Sequence, residues 1–245
     1  MNLPNNWGEI TLIQYYELED LKRELSGTEL ILERLAILLD TDIYDDKIYN
    51  LSVDDLFILR DKISWLDTEP NINITDIDFN LKPKKLNKLL LGEFIDIEHY
   101  YNEPNSLHII SSIYFKKTKI DEWGNEIFEP YIYDLEERSK LFLDLPITFI
   151  LKYFKIYQSW REEFIKNYEE LFISDDSIDE TELEGLELVQ YQKEMIIEKT
   201  KSKWSWESIL YGLSSGDLTK FNNLFDCEVI LVFNMLSMRK TLNIE

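Results

Sequence analysis

The chain is poor in the residues that metal and redox chemistry use, with one cysteine and two histidines in 245 residues. A single cysteine excludes an internal disulfide and points to a reducing compartment. Cys227 lies in an apolar stretch from Phe225 to Val232, where a buried, inert thiol is expected. His99 and His108 are too few for a zinc-type ligand set. Asp96, Glu98 and His99 form the nearest grouping, but strand spacing turns His99 away from both carboxylates. Glycine is also scarce, at seven residues against a usual ~7%. That scarcity argues against glycine-rich phosphate loops and against all-β folds built on tight turns. No G-x-S-x-G, P-loop, G-x-G-x-x-G or H-E-x-x-H motif occurs. No apolar run reaches the ~18 residues of a membrane span. The opening, with Asn5, Asn6 and Glu9, does not read as a signal peptide. The expectation is a chain without enzymatic activity, cofactor or metal.

Acids are plentiful: 48 Asp and Glu against 26 Lys and Arg, a formal net charge of −22. Such a chain repels phosphate backbones, so no sequence-specific nucleic-acid partner is expected. The clusters Lys82, Lys84, Lys85, Lys88 and Lys199, Lys201, Lys203 are small against that balance. Hydrophobic residues make up 44% and aromatics 13%, enough for a sizeable core and for interface anchors.

The longest signal is the stretch from Pro146 to Phe172. Ile147, Ile150, Leu151, Phe154, Tyr157, Trp160, Phe164, Ile165, Tyr168 and Phe172 recur at threes and fours, which predicts one long helix with a buried face. Ile150, Phe154, Trp160 and Phe164 are its expected core positions. Around it, residues 1–69 read as a helical segment. Thr11 and Gln14 form a capping box for the first helix, Thr28 can cap a second, and Ser52 a third. Residues 70–133 switch to alternating spacing and predict a small antiparallel sheet. Leu107 to Phe115 reads as a strand there, and a turn at 121–125 closes a hairpin. Residues 134–245 return to helices and include an acidic stretch at 174–187. The fold class is α+β, helix-dominated, and the three segments read as one integrated domain.

Three stretches resemble proteins from the structural and assembly gene modules of tailed bacteriophages, crAss-like phages among them. One is Trp7-x-x-Ile10-Thr11-Leu12-x-Gln14-Tyr15-x-x-Leu18. Another takes His108 to Tyr114, Phe128-Glu129-Pro130-Tyr131, Arg138, Phe142 and Leu145-Pro146-Ile147. The last runs from Lys203-Trp204-x-Trp206 through Ile209-Leu210-Tyr211 and Leu213 to Gly216-Asp217 and Lys220-Phe221. The resemblance implies a virion or assembly protein made in the host bacterial cytoplasm. It implies a ring subunit in the portal and head-to-tail connector, or a tail assembly chaperone absent from the finished particle, or, from a different class, a phage-encoded enzyme or regulatory protein. Its partners would then be further copies of itself, the portal and adjoining ring proteins, with no membrane involved. Beside that resemblance, Tyr100, Tyr101, Tyr114, Phe128 and Tyr131 read as sheet aromatics and as the candidates for a protein interface.

Overall fold

A computed structural model describes residues 2–72, 77, 79–131, 135–171, 211, 213–214 and 217–242 of the chain. Helices dominate, as the spacing predicts. In chain order they are α1 (Leu12–Glu24), α2 (Gly27–Leu38), α3 (Asp46–Tyr49), α4 (Val53–Lys62), α5 (Leu91–Tyr100), α6 (Leu107–Tyr114), α7 (Glu136–Lys140), α8 (Ile147–Asn167), α9 (Phe221–Phe225) and α10 (Val229–Leu242). The strands are β1 (Lys82–Pro83), β2 (Phe115–Lys116), β3 (Thr118–Ile120) and β4 (Glu126–Phe128). They form two antiparallel pairs, β1 with β2 and β3 with β4. By backbone contacts the chain divides into two compact units. The first combines residues 1–84 with 99–159, and the second combines 85–98 with 160–245.

In the first unit the start of α1 meets the start of α8. A helix leaves its first N–H groups without intrahelical partners. Here each helix borrows from the chain that leads into the other. Thr11 and Pro146 form an isolated antiparallel bridge. The Leu12 N–H donates to the Leu145 carbonyl at 2.9 Å, and the Ile147 N–H donates to the Ile10 carbonyl at 2.8 Å. The capping box forms as the sequence predicts. The Gln14 N–H donates to Thr11 Oγ1 at 3.3 Å, and the Thr11 N–H donates to Gln14 Oε1 at 3.1 Å. Thr11→Ala removes the hydroxyl acceptor and is expected to cost about 1 kcal/mol, read as a shift in the urea midpoint.

Behind this junction sits an aromatic core. Phe115 lies within 4.7–6.0 Å, centroid to centroid, of Phe79, Tyr114, Phe142, Phe149 and Tyr153. A second cluster joins Trp7 to Trp65 at 5.2 Å and to Tyr15 at 5.8 Å. The Trp7 indole N–H donates to the Thr68 carbonyl at 3.1 Å. The Ser52 cap on α4 also forms, with Asp55 as its reciprocal partner. The α2 helix starts one residue before Thr28, with Ser26 in the N-cap position.

The second unit repeats the junction with different residues. Leu90 and Glu228 form the isolated bridge. The Leu91 N–H donates to the Cys227 carbonyl at 2.8 Å, and the Val229 N–H donates to the Leu89 carbonyl at 2.9 Å. Thus the starts of α5 and α10 share carbonyls just as those of α1 and α8 do. Glu93 takes the place of Gln14, accepting from the Leu90 N–H at 2.9 Å. The unit packs on Phe94, whose ring lies 5.3 Å from Phe164, 6.0 Å from Phe233 and 6.1 Å from Trp160. At the edge of that core the Arg161 guanidinium forks onto the Glu98 carboxylate at 2.6 and 2.7 Å.

Four expectations are corrected. Leu107 to Tyr114 is a helix, and only Phe115 and Lys116 continue as a strand. The Ser112 hydroxyl donates to the Ile109 carbonyl one turn back, a bond that helical geometry supplies. Residues 91–100, with Asp96, Glu98 and His99, also form a helix rather than a strand. The long helix ends at Asn167, and a 3-10 turn follows over Glu169–Leu171. At 21 residues it is roughly 30 Å long. Of its expected core positions, Ile150 and Phe164 are buried, while Phe154 and Trp160 are partly exposed. The acidic stretch 174–187, Trp204 and Trp206 lie outside the described residues.

Candidate functional site

The β3–β4 hairpin carries Phe128, one of the expected interface aromatics. Thr118 pairs with Phe128, Lys119 with Ile127 and Ile120 with Glu126. Asp121 closes the turn by accepting from the Trp123 and Asn125 N–H groups at 3.0 and 2.7 Å. Gly124 takes φ +85°, which only glycine adopts at no cost. The hairpin is tied down at its base, where Arg138 bonds both the Phe115 carbonyl and Glu129. Burial alone would raise the Glu129 carboxyl; the Lys117 N–H and Arg138 together bring it below its ordinary value.

The five candidate interface aromatics do not share a sheet. Tyr100 ends α5, its ring 4.9 Å from His99. Tyr101 follows it and packs on Phe154 at 5.6 Å. Tyr114 belongs to α6 and is buried, with its hydroxyl pushed up to about 12 by desolvation. Phe128 is half-buried in β4. Tyr131 sits under the Lys116 ammonium at 4.4 Å. Tyr114 is therefore a core residue.

Two clefts open among the described residues of the first unit. One, of 240 Å³, is lined by Tyr15, Tyr16, Glu19, Arg23, Tyr101 and Phe154 together with residues 103–107. Tyr16 in its lining belongs to a pairing that spans 92 positions of sequence. The His108 N–H donates to the Tyr16 hydroxyl at 3.1 Å, which leaves the hydroxyl proton to face His108 Nδ1 at 3.3 Å. Burial raises the Tyr16 hydroxyl and lowers the His108 imidazole. A tyrosine acting as a base would need the opposite shift, so the pairing reads as a latch between α1 and α6.

That latch carries a pH dependence. His108 has a lower pKa folded than unfolded, so the unfolded chain binds the extra proton first. Stability is unaffected well above the ordinary value of 6.5. It falls as the pH drops from there toward the lower folded value. Chemical denaturation at pH 7.5 and pH 5.5 is expected to show this loss in the wild type and a smaller one in His108→Asn. Equal losses in the two proteins would assign the effect to other groups.

The other cleft, of 530 Å³, lies along α1 and α2. The Gln14 side-chain N–H donates to the Ile37 carbonyl at 3.0 Å across it. Glu17, Asp20, Glu33, Asp40 and Asp42 line it. Burial, and then the nearby Asp40 charge, raise the Glu17 carboxyl. Among the described residues no three His, Cys, Asp or Glu side chains are placed to share a metal ion. His99 is exposed on α5 and Glu98 is engaged by Arg161.

The features that sequence reasoning missed are apolar. On α3 and α4, Tyr49, Val53, Phe57 and Ile58 are 72, 69, 55 and 57% exposed, and Tyr44 beside them is 75% exposed. On α10, Leu231, Met235, Met238 and Leu242 are each half-exposed or more. A signal was present for α4. Apolar residues at 53, 56, 57, 58, 59 and 63 are more than one buried face of a short helix accommodates. Compared with known proteins, the chain matches no family model, no curated protein and no solved structure.

Proposed function

We propose that this chain is a non-enzymatic structural protein of a tailed bacteriophage, working as one copy of a ring in the portal and head-to-tail connector. Its sequence supports this through the three phage-like stretches. The structural observation that carries it is the outer stripe of α10. Leu231, Met235, Met238 and Leu242 follow one another at four, three and four residues, the spacing of a seam that receives the side chains of another helix. The opposite side of α10 is already used, since Val229, Val232 and Phe233 are buried. Methionines at two of the four positions suit a contact that must adapt to its neighbour. In a ring each copy offers two different surfaces, head to tail, and closure sets the number.

The test is to locate the chain in intact particles by electron microscopy. The expected result is copies arranged around the tail axis, with α10 at a contact between protein chains. Mass spectrometry of purified virions gives the complementary reading. Stoichiometric presence supports the ring. Absence from particles whose tails still require the gene overturns it and leaves a tail assembly chaperone, whose seam would hold an apolar tail segment.

A further inference from the structure

We infer that the outer face of α3 and α4 docks a basic protein segment that presents apolar side chains among its lysines and arginines. The inference rests on residues other than the α10 stripe and holds with or without a ring. At 100° per residue, Leu56, Leu59 and Ile63 point inward on α4. Val53 and Phe57, one turn apart, then stand on its outward flank, with Ile58 on the far side. Asp54 and Asp61 fall between them. Val53 and Phe57 thus form an exposed apolar pair flanked by charge, the kind of feature that marks an interaction surface on a protein exterior. Phenylalanine and tyrosine are efficient anchors there because they cover much area with few rotatable bonds.

The charge around these anchors selects the partner. Residues 42–62 hold Asp42, Asp45, Asp46, Asp54, Asp55 and Asp61 against Lys47, Arg60 and Lys62. Arg60 is already engaged, 5.3 Å over the Phe57 ring and 3.1 Å from Asp61. Asp45 and Asp55 are fixed in place by the helix starts they cap. Asp45 accepts from the Lys47 N–H at 2.9 Å, and Asp55 accepts from the Ser52 N–H at 3.1 Å. These bonds favour the carboxylate form, so both groups carry charge at neutral pH. Another copy presenting this same face would bring like charge against like, as would an anionic membrane or a nucleic acid. A basic segment meets the acids while its apolar groups cover Tyr49, Val53 and Phe57.

The experiment uses the full chain and a synthetic amphipathic helix of leucine and lysine as probe. Titration calorimetry at low and moderate salt gives the affinity. Hydrogen exchange maps the protected residues. The informative variant is Val53→Ser/Phe57→Ser, which keeps every charge and alters only exposed positions; circular dichroism confirms its fold. The expected result is binding that weakens by about tenfold in the double variant, with protection centred on residues 44–62. Asp54→Asn/Asp61→Asn is expected to weaken it at low salt and to make it less sensitive to rising salt than the wild type. Equal binding by wild type and the serine variant would overturn the proposal, because it would show only general attraction to an acidic chain. Equal binding of a leucine and glutamate helix would do the same. A wild-type dimer dissolved by the serine substitutions would assign the face to a second copy. Binding to phosphatidylglycerol vesicles lost in the same variant would assign it to a membrane. Either result replaces the inference.

Discussion

Phe115→Ala is expected to be among the most damaging single changes in the first unit, at about 3–5 kcal/mol. The side chain is 1% exposed. It contributes a ring to a cluster that α6, α8, the turn after α7 and the chain before β1 all reach. Phe79, Phe142 and Phe149 are each within 6.0 Å of it, and Tyr153 is at 4.7 Å edge to face. These neighbours are stiff rings anchored on different elements, so they cannot all close into the space that truncation leaves. The loss therefore includes both transfer and cavity contributions. Phe154 provides the control. It stands in the long helix at an expected core position, yet its ring forms part of the wall of the 240 Å³ cleft and is partly exposed. Phe154→Ala is expected to cost only about 1–2 kcal/mol. Guanidinium unfolding at constant m-value separates the two. Equal losses would mean that Phe115 is not the centre of this core.

What the sequence showed clearly was local. Thr11 with Gln14, and Ser52 as a cap, announced helix starts through side chains that reach their own neighbours. Asp121 to Asn125 announced the turn because Asp121 accepts bonds within the turn itself. The helix period of 147–167 was strong because it ran for six turns. Residues 91–100 and 107–114 lacked that length. Phe94, Ile95 and Ile97, like Ile109, Ile110 and Ile113, are short apolar runs of β-favouring residues, and these fit either period. Their helical state is supported from a distance. The α5 start is completed by the Cys227 carbonyl, and the His108 N–H at the start of α6 is taken by Tyr16. No local pattern could show those partners. The same reason hid the matched junctions at Thr11 with Pro146 and Leu90 with Glu228, which share backbone geometry but almost no side-chain identity. The exposed faces of α4 and α10 were legible only as a surplus of apolar residues. Which of those residues stay outside is decided by packing, and the periodicity alone had assigned one face to the core and left the remainder unread.

Phe94→Ala tests the reassignment of residues 91–100 most directly and is expected to cost about 3–5 kcal/mol. Phe94 is fully buried. In the helix it shares a face with Leu91 and Glu98, so its ring points into the aromatic group while Glu98, one turn on, reaches the Arg161 fork. Among the described residues three rings meet Phe94 from two other helices: Trp160 and Phe164 from α8, and Phe233 from α10. Phe164 and Phe233 also touch each other at 4.7 Å, so they cannot both move toward the vacated space without losing that contact. Phe94→Leu retains most of the volume and is expected to cost under about 1.5 kcal/mol. The pair of variants thus separates loss of volume from loss of ring geometry. A strand over these residues would place Phe94 on one face with Asp96 and Glu98. Phe94 would then sit at a polar surface, and its truncation would cost little. A loss below about 1 kcal/mol for Phe94→Ala, with Phe233→Ala still costing several, would mean that the second unit is built on α8 and α10 without α5. The larger loss makes α5 the segment on which both of those helices close.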